Sequence, residues 1–331
     1  MRGLMRFLFQ IFLLISLLFP TFSLSATRGI RNITESGDTL FLYKDYYALV
    51  VGVSDYEKWP DLPNAVKDAK EVASSLRDFG FEVTLLLDPD SLELINALNR
   101  LAHKIGKEEN RALLFYFAGH GDTIQLADGT ALGYIVPKDC PLKTQDPMGF
   151  NRRAISMKDM EVFALMVRSR HFLMMFDSCF SGSIFNLVRS APRDISEKSA
   201  LPVRQFITAG GAGEQVPDQS IFKIVFLNGI RGEADLNRDG YVTASELGMH
   251  LQQTVVNYTR GAQHPQYGKI NNPKLDKGDF IFASPEKTLM LRDSEKESKG
   301  QLAILADEVK KLKKEREKTQ ALLEQVQRVR G

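Results

Sequence analysis

Two short polar segments that could form a catalytic pair each follow an apolar run of the sequence. His120 follows the run ALLFYF, and Cys179 follows the run HFLMMF by three residues. A thiolate that forms beside an imidazole can attack a carbonyl carbon, and neighbouring glycines let a substrate backbone approach closely. A histidine or cysteine alone after a strand is usually structural. Because both occur at matching positions, we expect Cys179 to be a nucleophile and His120 its base.

Alternating apolar runs and amphipathic stretches must position these two segments. The predicted strands are Tyr46–Val53, Phe81–Leu87, Ala112–Phe117, Leu132–Val136, His171–Phe176 and Gln205–Thr208. The predicted helices are Asn64–Phe79, Leu92–Ile105 and Ser156–Arg168. This alternation predicts an α/β fold with a mostly parallel sheet that is flanked by helices on both faces. In such sheets the functional loops lie at the carboxyl ends of the strands.

The composition excludes several classes of protein. The chain has 331 residues, with 43 Lys and Arg against 41 Asp and Glu, which gives a formal net charge of +2. A dedicated nucleic-acid binder would carry a strong basic excess, so no nucleic-acid partner is expected. Two cysteines are too few for a disulfide scaffold or for a four-thiolate zinc site. The five histidines are scattered and lack the spacing of zinc ligands.

The first 26 residues have the pattern of a targeting segment. Arg2 and Arg6 precede an apolar run. Cleavage after Ser25 would put the small residues Ser23 and Ser25 at the −3 and −1 positions, and cleavage after Ala26 is the second choice. This pattern predicts a signal peptide at residues 1–26 and a secreted or periplasmic protein. An uncleaved membrane anchor is the alternative, because a slightly longer apolar run would span a bilayer.

The motifs YFAGHG and DSCFSG, in this order, resemble those of the caspase and metacaspase clan of cysteine peptidases. The separation of His120 and Cys179 is close to the roughly 50 residues that are typical of caspases. The likeness runs from about Tyr47 to Ala283. Further segments that follow the order of the family are YALVVGVSDY, LPNAVKDA, GYIVPKD, FITAGGAGE and HPQYGKINNPKLDKGDFIF.

The resemblance implies a caspase-like fold, a cysteine-type endopeptidase activity and a role for each matching residue. Cys179 would be the nucleophile and His120 the general base, and the backbone N–H groups of Gly121 and Cys179 would bind the oxyanion. No cofactor is required for this chemistry. As in metacaspases, Asp177 and Asp68 would line the substrate pocket, and carboxylates favour Arg or Lys there. The expected partners are therefore protein or peptide substrates with Arg or Lys before the cut bond.

Two departures from the metacaspase pattern lie outside the catalytic pair. Phe180 stands where these enzymes typically carry His, and Ala65 stands where they tend to carry Cys. We expect these differences to affect fine specificity. For Asp68 the simpler interpretation is a solvated helix carboxylate, and for Asp177 it is an acceptor that orders a loop.

A second motif matches the twelve-residue calcium loop without a gap. The ligand positions of this loop are filled by Asp235, Asn237, Asp239, Tyr241 (through its carbonyl), Thr243 and Glu246. Gly240 occupies the position of the sharp turn. The loop 235–246 therefore predicts a Ca²⁺ site that could regulate activity. The alternative is a turn that simply begins the helix Leu247–Thr254.

The remaining segments complete the predicted organisation. A short N-terminal segment, 27–45, precedes a caspase-like peptidase domain, 46–285, and a charged helical tail, 286–331, whose heptad-like leucines predict a coiled-coil partner or self-association. The exposed stretch Asn186–Val203 carries Arg189 and Arg193, which are candidate sites of self-cleavage. Cys140 lies in a turn and is expected to be incidental.

An aspartate-specific caspase is disfavoured because Asp177 would repel an acidic side chain. The alternative from another class is a non-proteolytic, calcium-binding scaffold that keeps the fold and uses the tail to assemble partners.

Overall fold

The computed structural model describes residues 30–33, 39–179, 185–186, 195–211, 214, 220–283, 300–301 and 304–314. The strands are β1 (Ile30–Ile33), β2 (Thr39–Leu42), β3 (Asp45–Gly52), β4 (Phe81–Leu87), β5 (Arg111–Ala118), β6 (Gly121–Gln125), β7 (Ala131–Ile135), β8 (Ile155–Ser156), β9 (His171–Cys179), β10 (Phe185–Asn186), β11 (Val203–Gly210), β12 (Tyr241–Thr243), β13 (Gln266–Ile270) and β14 (Ile281–Ala283). The α-helices are α1 (Ala65–Asp78), α2 (Ser91–His103), α3 (Pro147–Arg153), α4 (Met157–Met166), α5 (Ile195–Ala200), α6 (Ile221–Asn228) and α7 (Ala244–Tyr258).

A seven-stranded sheet in the order β10-β13-β11-β9-β5-β3-β4 forms the centre of the molecule. Its strands β11, β9, β5, β3 and β4 are paired in parallel, and β13 is antiparallel to β11 and to β10. The prediction of a mostly parallel α/β sheet is therefore confirmed. A hydrophobic pattern of short valine-rich and aromatic runs is typical of strands that are buried on both faces.

Helices cover both faces of this sheet. One core contains the apolar residues of α1, α6 and α7 together with one face of the strands. The other core contains the apolar residues of α2 and α4 together with the opposite face. The helix boundaries follow local chemistry, because Asp90 with Glu93 and Ser156 with Asp159 form capping boxes at the start of α2 and α4.

The pairing of β5 with β9 decides where the two polar segments lie. These neighbouring parallel strands are in register, with Phe117 opposite Phe176 and Ala118 opposite Asp177. His120 and Cys179 each follow that last pair by two residues. Adjacent strands lie about 4.8 Å apart, so the backbone delivers both residues to the same edge of the sheet.

Strand β9 is three residues longer than the sequence pattern predicts. The apolar run ends at Phe176, but the strand continues to Cys179, which pairs with Gly210 of β11 after a bulge near Thr208. The polar residues Asp177 and Ser178 belong to the strand because hydrogen bonds with both neighbours extend the ladder. Cys179 therefore ends a strand of the central sheet rather than lying in a loop beyond it.

Helix α1 lies unusually close to the sheet. A methyl group added at Gly52, the last residue of β3, would come within 2.6 Å of the Ala69 side chain and 2.9 Å of the Ala65 carbonyl. Such a distance is below van der Waals contact, so only glycine allows this approach. The close packing brings the first turn of α1, which carries Asp68, against the end of the sheet.

Several predictions concern segments at the periphery. Residues 30–42 of the predicted short N-terminal segment contribute the antiparallel pair β1 and β2. The stretch predicted as an exposed loop, 186–203, contains α5, whose Lys198 ammonium lies 3.7 Å from the buried Asp279 carboxylate. Residues 304–314 of the tail are helical and exposed. The described helices include none that is long and apolar enough to cross a membrane.

The predicted signal peptide, the candidate self-cleavage sites Arg189 and Arg193, and Phe180 lie outside the described residues. The same holds for the later part of the tail.

Candidate active site

The His120 imidazole is held by a backbone carbonyl. Its Nε2 atom lies 2.8 Å from the Pro60 carbonyl oxygen. Because a carbonyl oxygen can only accept a hydrogen bond, Nε2 carries the proton and Nδ1 keeps its lone pair. The structure therefore sets His120 in the tautomer in which Nδ1 is the basic atom.

Two aromatic side chains form the surroundings of His120. The ring centroids of Tyr56 and Trp59 lie 4.8 Å and 5.3 Å from that of the imidazole. The Tyr56 hydroxyl accepts a 2.7 Å hydrogen bond from the His120 backbone N–H and donates one to the Val136 carbonyl at 3.2 Å. Burial lowers the pKa of His120, against the Pro60 hydrogen bond, which raises it. The imidazole is therefore more easily kept neutral than a solvated histidine.

Gly119 is required by this arrangement. A Cβ atom at this position would lie 2.7 Å from the Tyr56 hydroxyl and 2.9 Å from the Phe117 ring. The glycine before His120 therefore allows the aromatic side chain to reach the backbone of the next residue.

The loop that supplies Tyr56, Trp59 and Pro60 is fixed at both ends. Ser54 donates its hydroxyl to the Leu62 carbonyl at 2.6 Å and accepts the backbone N–H of Val66 in α1 at 2.9 Å. The Asp88 carboxylate accepts the backbone N–H groups of Ser54 and Asp55 at 2.7 and 3.0 Å. These bonds position the carbonyl that holds His120.

The structure places Cys179 at the backbone level only. Cys179 is the last residue of β9, and Gly121, the other predicted oxyanion donor, is the first residue of β6. Both lie at the edge of the sheet that also carries His120. Their catalytic roles stay predictions.

Asp177 is not a loop residue but a buried member of β9. Its side chain is 6% exposed; Oδ2 accepts a 2.7 Å hydrogen bond from the Tyr116 hydroxyl, and Oδ1 has no hydrogen-bond partner in the described part of the chain. Burial raises the pKa of Asp177 to about 6, and the hydroxyls of Ser220 and Tyr116 oppose this rise. A buried carboxylate oxygen without a donor is unusual in proteins and is suited to a ligand that brings one.

Asp68 is also buried, which contradicts its interpretation as a solvated carboxylate. It is 5% exposed, and its Oδ1 atom lies 2.9 Å from the ammonium group of Lys223 in α6. Burial raises the pKa of Asp68 and the Lys223 hydrogen bond opposes the rise. The charge of Asp68 in turn raises the pKa of Asp177. The Lys223 backbone N–H donates a 2.9 Å hydrogen bond to the Ser220 hydroxyl, which in turn acts on Asp177, so Lys223 and Ser220 connect the two predicted pocket residues.

The calcium-loop residues use their side chains within the loop itself. Asp235 accepts the backbone N–H groups of Asp239 and Gly240 at 3.2 and 2.9 Å, and Gly240 has a positive φ of 82°. Glu246 accepts the N–H and hydroxyl of Thr243 at 2.9 and 2.7 Å, and so caps α7. Among the described residues, no three His, Cys, Asp or Glu side chains are grouped so that they could hold a metal.

Asn237 and Tyr241 complete the predicted set. Both are bonded to Asp239, which accepts the Tyr241 N–H at 2.8 Å and the Asn237 amide at 3.0 Å. In this conformation the loop is a turn that leads into a capped helix, and calcium binding stays a prediction from the sequence.

Cys140 is a free, buried thiol, as expected for an incidental residue. Burial raises its pKa to about 12. A thiol of this kind is unreactive because the thiolate is the reactive form.

Sequence reasoning missed Tyr56, Trp59, Pro60, Tyr116 and Lys223. The first three could have been sought, because they follow β3, the strand next to β5, and so lie at the same carboxyl edge. Lys223 could not, because it lies in an apolar stretch of the sequence 155 residues after Asp68, and no local pattern links the two.

Comparison with known proteins identifies a family for most of the chain. Residues 45–328 match the model of the Caspase domain family of peptidases. A 100-residue stretch is 32% identical to the human mucosa-associated lymphoid tissue lymphoma translocation protein 1, and its mouse homologue matches equally. That stretch covers 30% of this chain and 11% of the human protein.

Solved structures that resemble this chain at low sequence identity include two caspases and one bacterial protein. The initiator caspase Dronc of Drosophila is 11% identical, with a TM-score of 0.48 over 75% of this chain and 89% of that chain. Caspase-1 of Spodoptera frugiperda is 14% identical, with a TM-score of 0.49 over 73% and 92%. A protein of Geobacter sulfurreducens is 16% identical, with a TM-score of 0.49 over 72% and 100%.

The surroundings of His120 predict the effect of removing Trp59. In the Trp59→Ala variant the imidazole gains access to water, so its pKa rises toward the ordinary value of about 6.5. Histidine ring shifts followed by NMR through a pH titration measure this change. Leu126→Ala, which truncates an exposed apolar side chain elsewhere, should leave the His120 titration as it is. An unchanged pKa in Trp59→Ala would show that burial by Trp59 is not the cause.

Proposed function

The chain belongs to the Caspase domain family, and from that premise we propose that it is a cysteine endopeptidase that cuts peptide bonds after Arg or Lys. One observation supports the proposal: the β5–β9 register brings the backbone of Cys179 to the sheet edge where the Pro60 carbonyl binds the His120 imidazole. Members of this family are peptidases that act on protein substrates. The Cys179–His120 dyad and the preference for Arg or Lys are what we propose beyond this family activity.

The proposed reaction uses the chain's own groups. Nδ1 of His120 takes the proton of the Cys179 thiol as sulfur attacks the scissile carbonyl carbon. Backbone N–H groups of Gly121 and Cys179 stabilise the oxyanion that forms. The imidazolium then gives its proton to the leaving amine, which leaves an acyl-enzyme. A water molecule, deprotonated by His120, attacks this thioester and releases the acid product and the free thiol.

The buried carboxylates support the specificity. Within the described part of the chain, Oδ1 of Asp177 has no hydrogen-bond donor, and Asp177 lies two residues before the proposed nucleophile. A guanidinium or ammonium group satisfies that oxygen and compensates its charge, whereas an acidic side chain would add a like charge. Because the pKa of Asp177 is about 6, the carboxylate is ionised above that pH. Binding of a basic side chain should weaken as the pH falls through 6.

Cleavage of fluorogenic peptides tests the proposal. Protein without residues 1–26 should hydrolyse substrates that end in Arg or Lys but not those that end in Asp. Cys179→Ala and His120→Ala should each lower kcat/KM by about 10³-fold or more, since each removes a group that reacts. Asp177→Asn should lower kcat/KM for Arg substrates by about tenfold or more, through the lost charge pair.

Cys140→Ala is the matched control, because it removes a buried thiol and should leave the turnover of the Arg substrate close to that of the unmodified protein. Turnover after Asp would contradict the specificity. Folded protein without turnover on any of these peptides would contradict the enzyme and favour the non-proteolytic scaffold.

We also propose self-processing, export and assembly, each supported by the sequence. Arg189 and Arg193 match the proposed specificity, and gels of the same incubations report any cut there; an intact single band would contradict self-cleavage.

The first 26 residues support secretion or a periplasmic location. Ile304, Leu305, Val309 and Leu312 of the tail helix are exposed apolar residues, which supports a coiled-coil partner or self-association.

Calcium binding by the loop 235–246 is a separate proposal, and no step of the reaction depends on it. Oxygen donors at the spacing of a calcium loop support it. Because Glu246 caps α7, binding would have to draw its carboxylate from Thr243. Calorimetry should show binding that saturates below about 1 mM Ca²⁺ and that is weaker in Asp235→Asn, with Mg²⁺ as the control ion. Absence of heat at millimolar calcium would contradict the site and any regulation by it.

A further inference from the structure

A buried cation sits among the carboxylates of the candidate pocket. The Lys223 ammonium lies 2.9 Å from Asp68 Oδ1 and also contacts the Glu71 carboxylate. Lys223 is 7% exposed. Hydrogen bonds to Glu71 and Asp68 raise its pKa against burial, which lowers it. The amine is therefore charged at neutral pH and fixed between helices α1 and α6.

The two carboxylates of this cluster, Asp68 and Asp177, have different partners. Asp68 is paired with Lys223, whereas Asp177 accepts a hydrogen bond from Tyr116 at Oδ2 and has no partner at Oδ1 among the residues that the structure describes. Lys223 lowers the pKa of Asp177 as well, so its charge acts on both carboxylates. A basic side chain of a substrate that enters this cluster therefore comes close to the Lys223 ammonium.

From these contacts we infer that Lys223 is a specificity-determining residue, a resident cation that occupies Asp68 and leaves Asp177 as the carboxylate for the substrate's basic side chain. The inference rests on the proposed function, because it assigns the division of labour within that pocket. The pocket then takes a single basic group, which pairs with Oδ1 of Asp177. A bidentate grip on Asp68 by a guanidinium is prevented while Lys223 is present.

The role differs from that of an ion pair that only stabilises the fold. Replacing one partner of a buried pair leaves the other charge uncompensated, and such a charge attracts any cation that can reach it. If Lys223 occupies a substrate position, its removal should increase affinity for a small guanidinium. If it only joins α1 to α6, its removal should lower stability without that gain.

Agmatine, which is arginine without its carboxylate, is the probe. Calorimetry uses the full chain with Cys179→Ala, which prevents self-cleavage, at pH 8.5, where these carboxylates are ionised. Adding Lys223→Met should tighten agmatine binding by about fivefold or more, because a competing cation is removed and Asp68 becomes available. Lys223→Arg, which keeps the charge, should bind no tighter than the parent.

Lys70→Met is the control, since it removes an exposed lysine from α1, the helix that carries Asp68. Equal agmatine affinity in Lys223→Met and Lys70→Met, with both variants folded by circular dichroism, would overturn the inference. The peptide assay keeps the two proposals apart. Tighter agmatine binding in Lys223→Met together with no cleavage after Arg or Lys by the unmodified protein would retain the cation's place and refute the protease.

Discussion

The in-register parallel pairing of β5 and β9 is the constraint on which the candidate site depends. Because Ala118 lies opposite Asp177, the residues that follow the two strands emerge next to each other at one edge of the sheet. The two strands are buried on both faces, so a shift of one residue would exchange their side chains between two differently packed cores. The packing of the central sheet therefore fixes the backbone positions of His120 and Cys179.

The loops at neighbouring strand ends supply the groups that orient His120, which the pairing of β5 with β9 alone does not provide. The loop after β3 brings Tyr56, Trp59 and the Pro60 carbonyl to His120, and Ser54 and Asp88 fix that loop to α1 and to the end of β4. A histidine on a flexible loop would sample both tautomers and many orientations. Here the carbonyl selects the tautomer and the aromatic rings limit the access of water, so the basic nitrogen is preorganised.

The fold and the reactive residues were accessible to sequence reasoning because they leave local patterns. Apolar runs gave the strands, with Phe81–Leu87 predicted at its observed bounds, and strand-end logic singled out His120 and Cys179. The Pro60 carbonyl leaves no such pattern, because any residue has one. Lys223 contacts Glu71 across 152 residues of sequence, and only the packing of α6 on α1 reveals it. The length of β9 was missed because ladder bonds extended it beyond its apolar part.

The most direct test of the account is the rate at which iodoacetamide alkylates Cys179 as a function of pH, read by mass spectrometry of the peptide that contains it. If His120 takes the thiol proton, alkylation at pH 7 should be at least about tenfold faster in the unmodified protein than in His120→Ala, whose rate should follow an ordinary thiol of pKa about 8.5. Cys140 should stay unmodified in both as an internal standard. Equal rates for Cys179 in the two proteins would contradict the dyad.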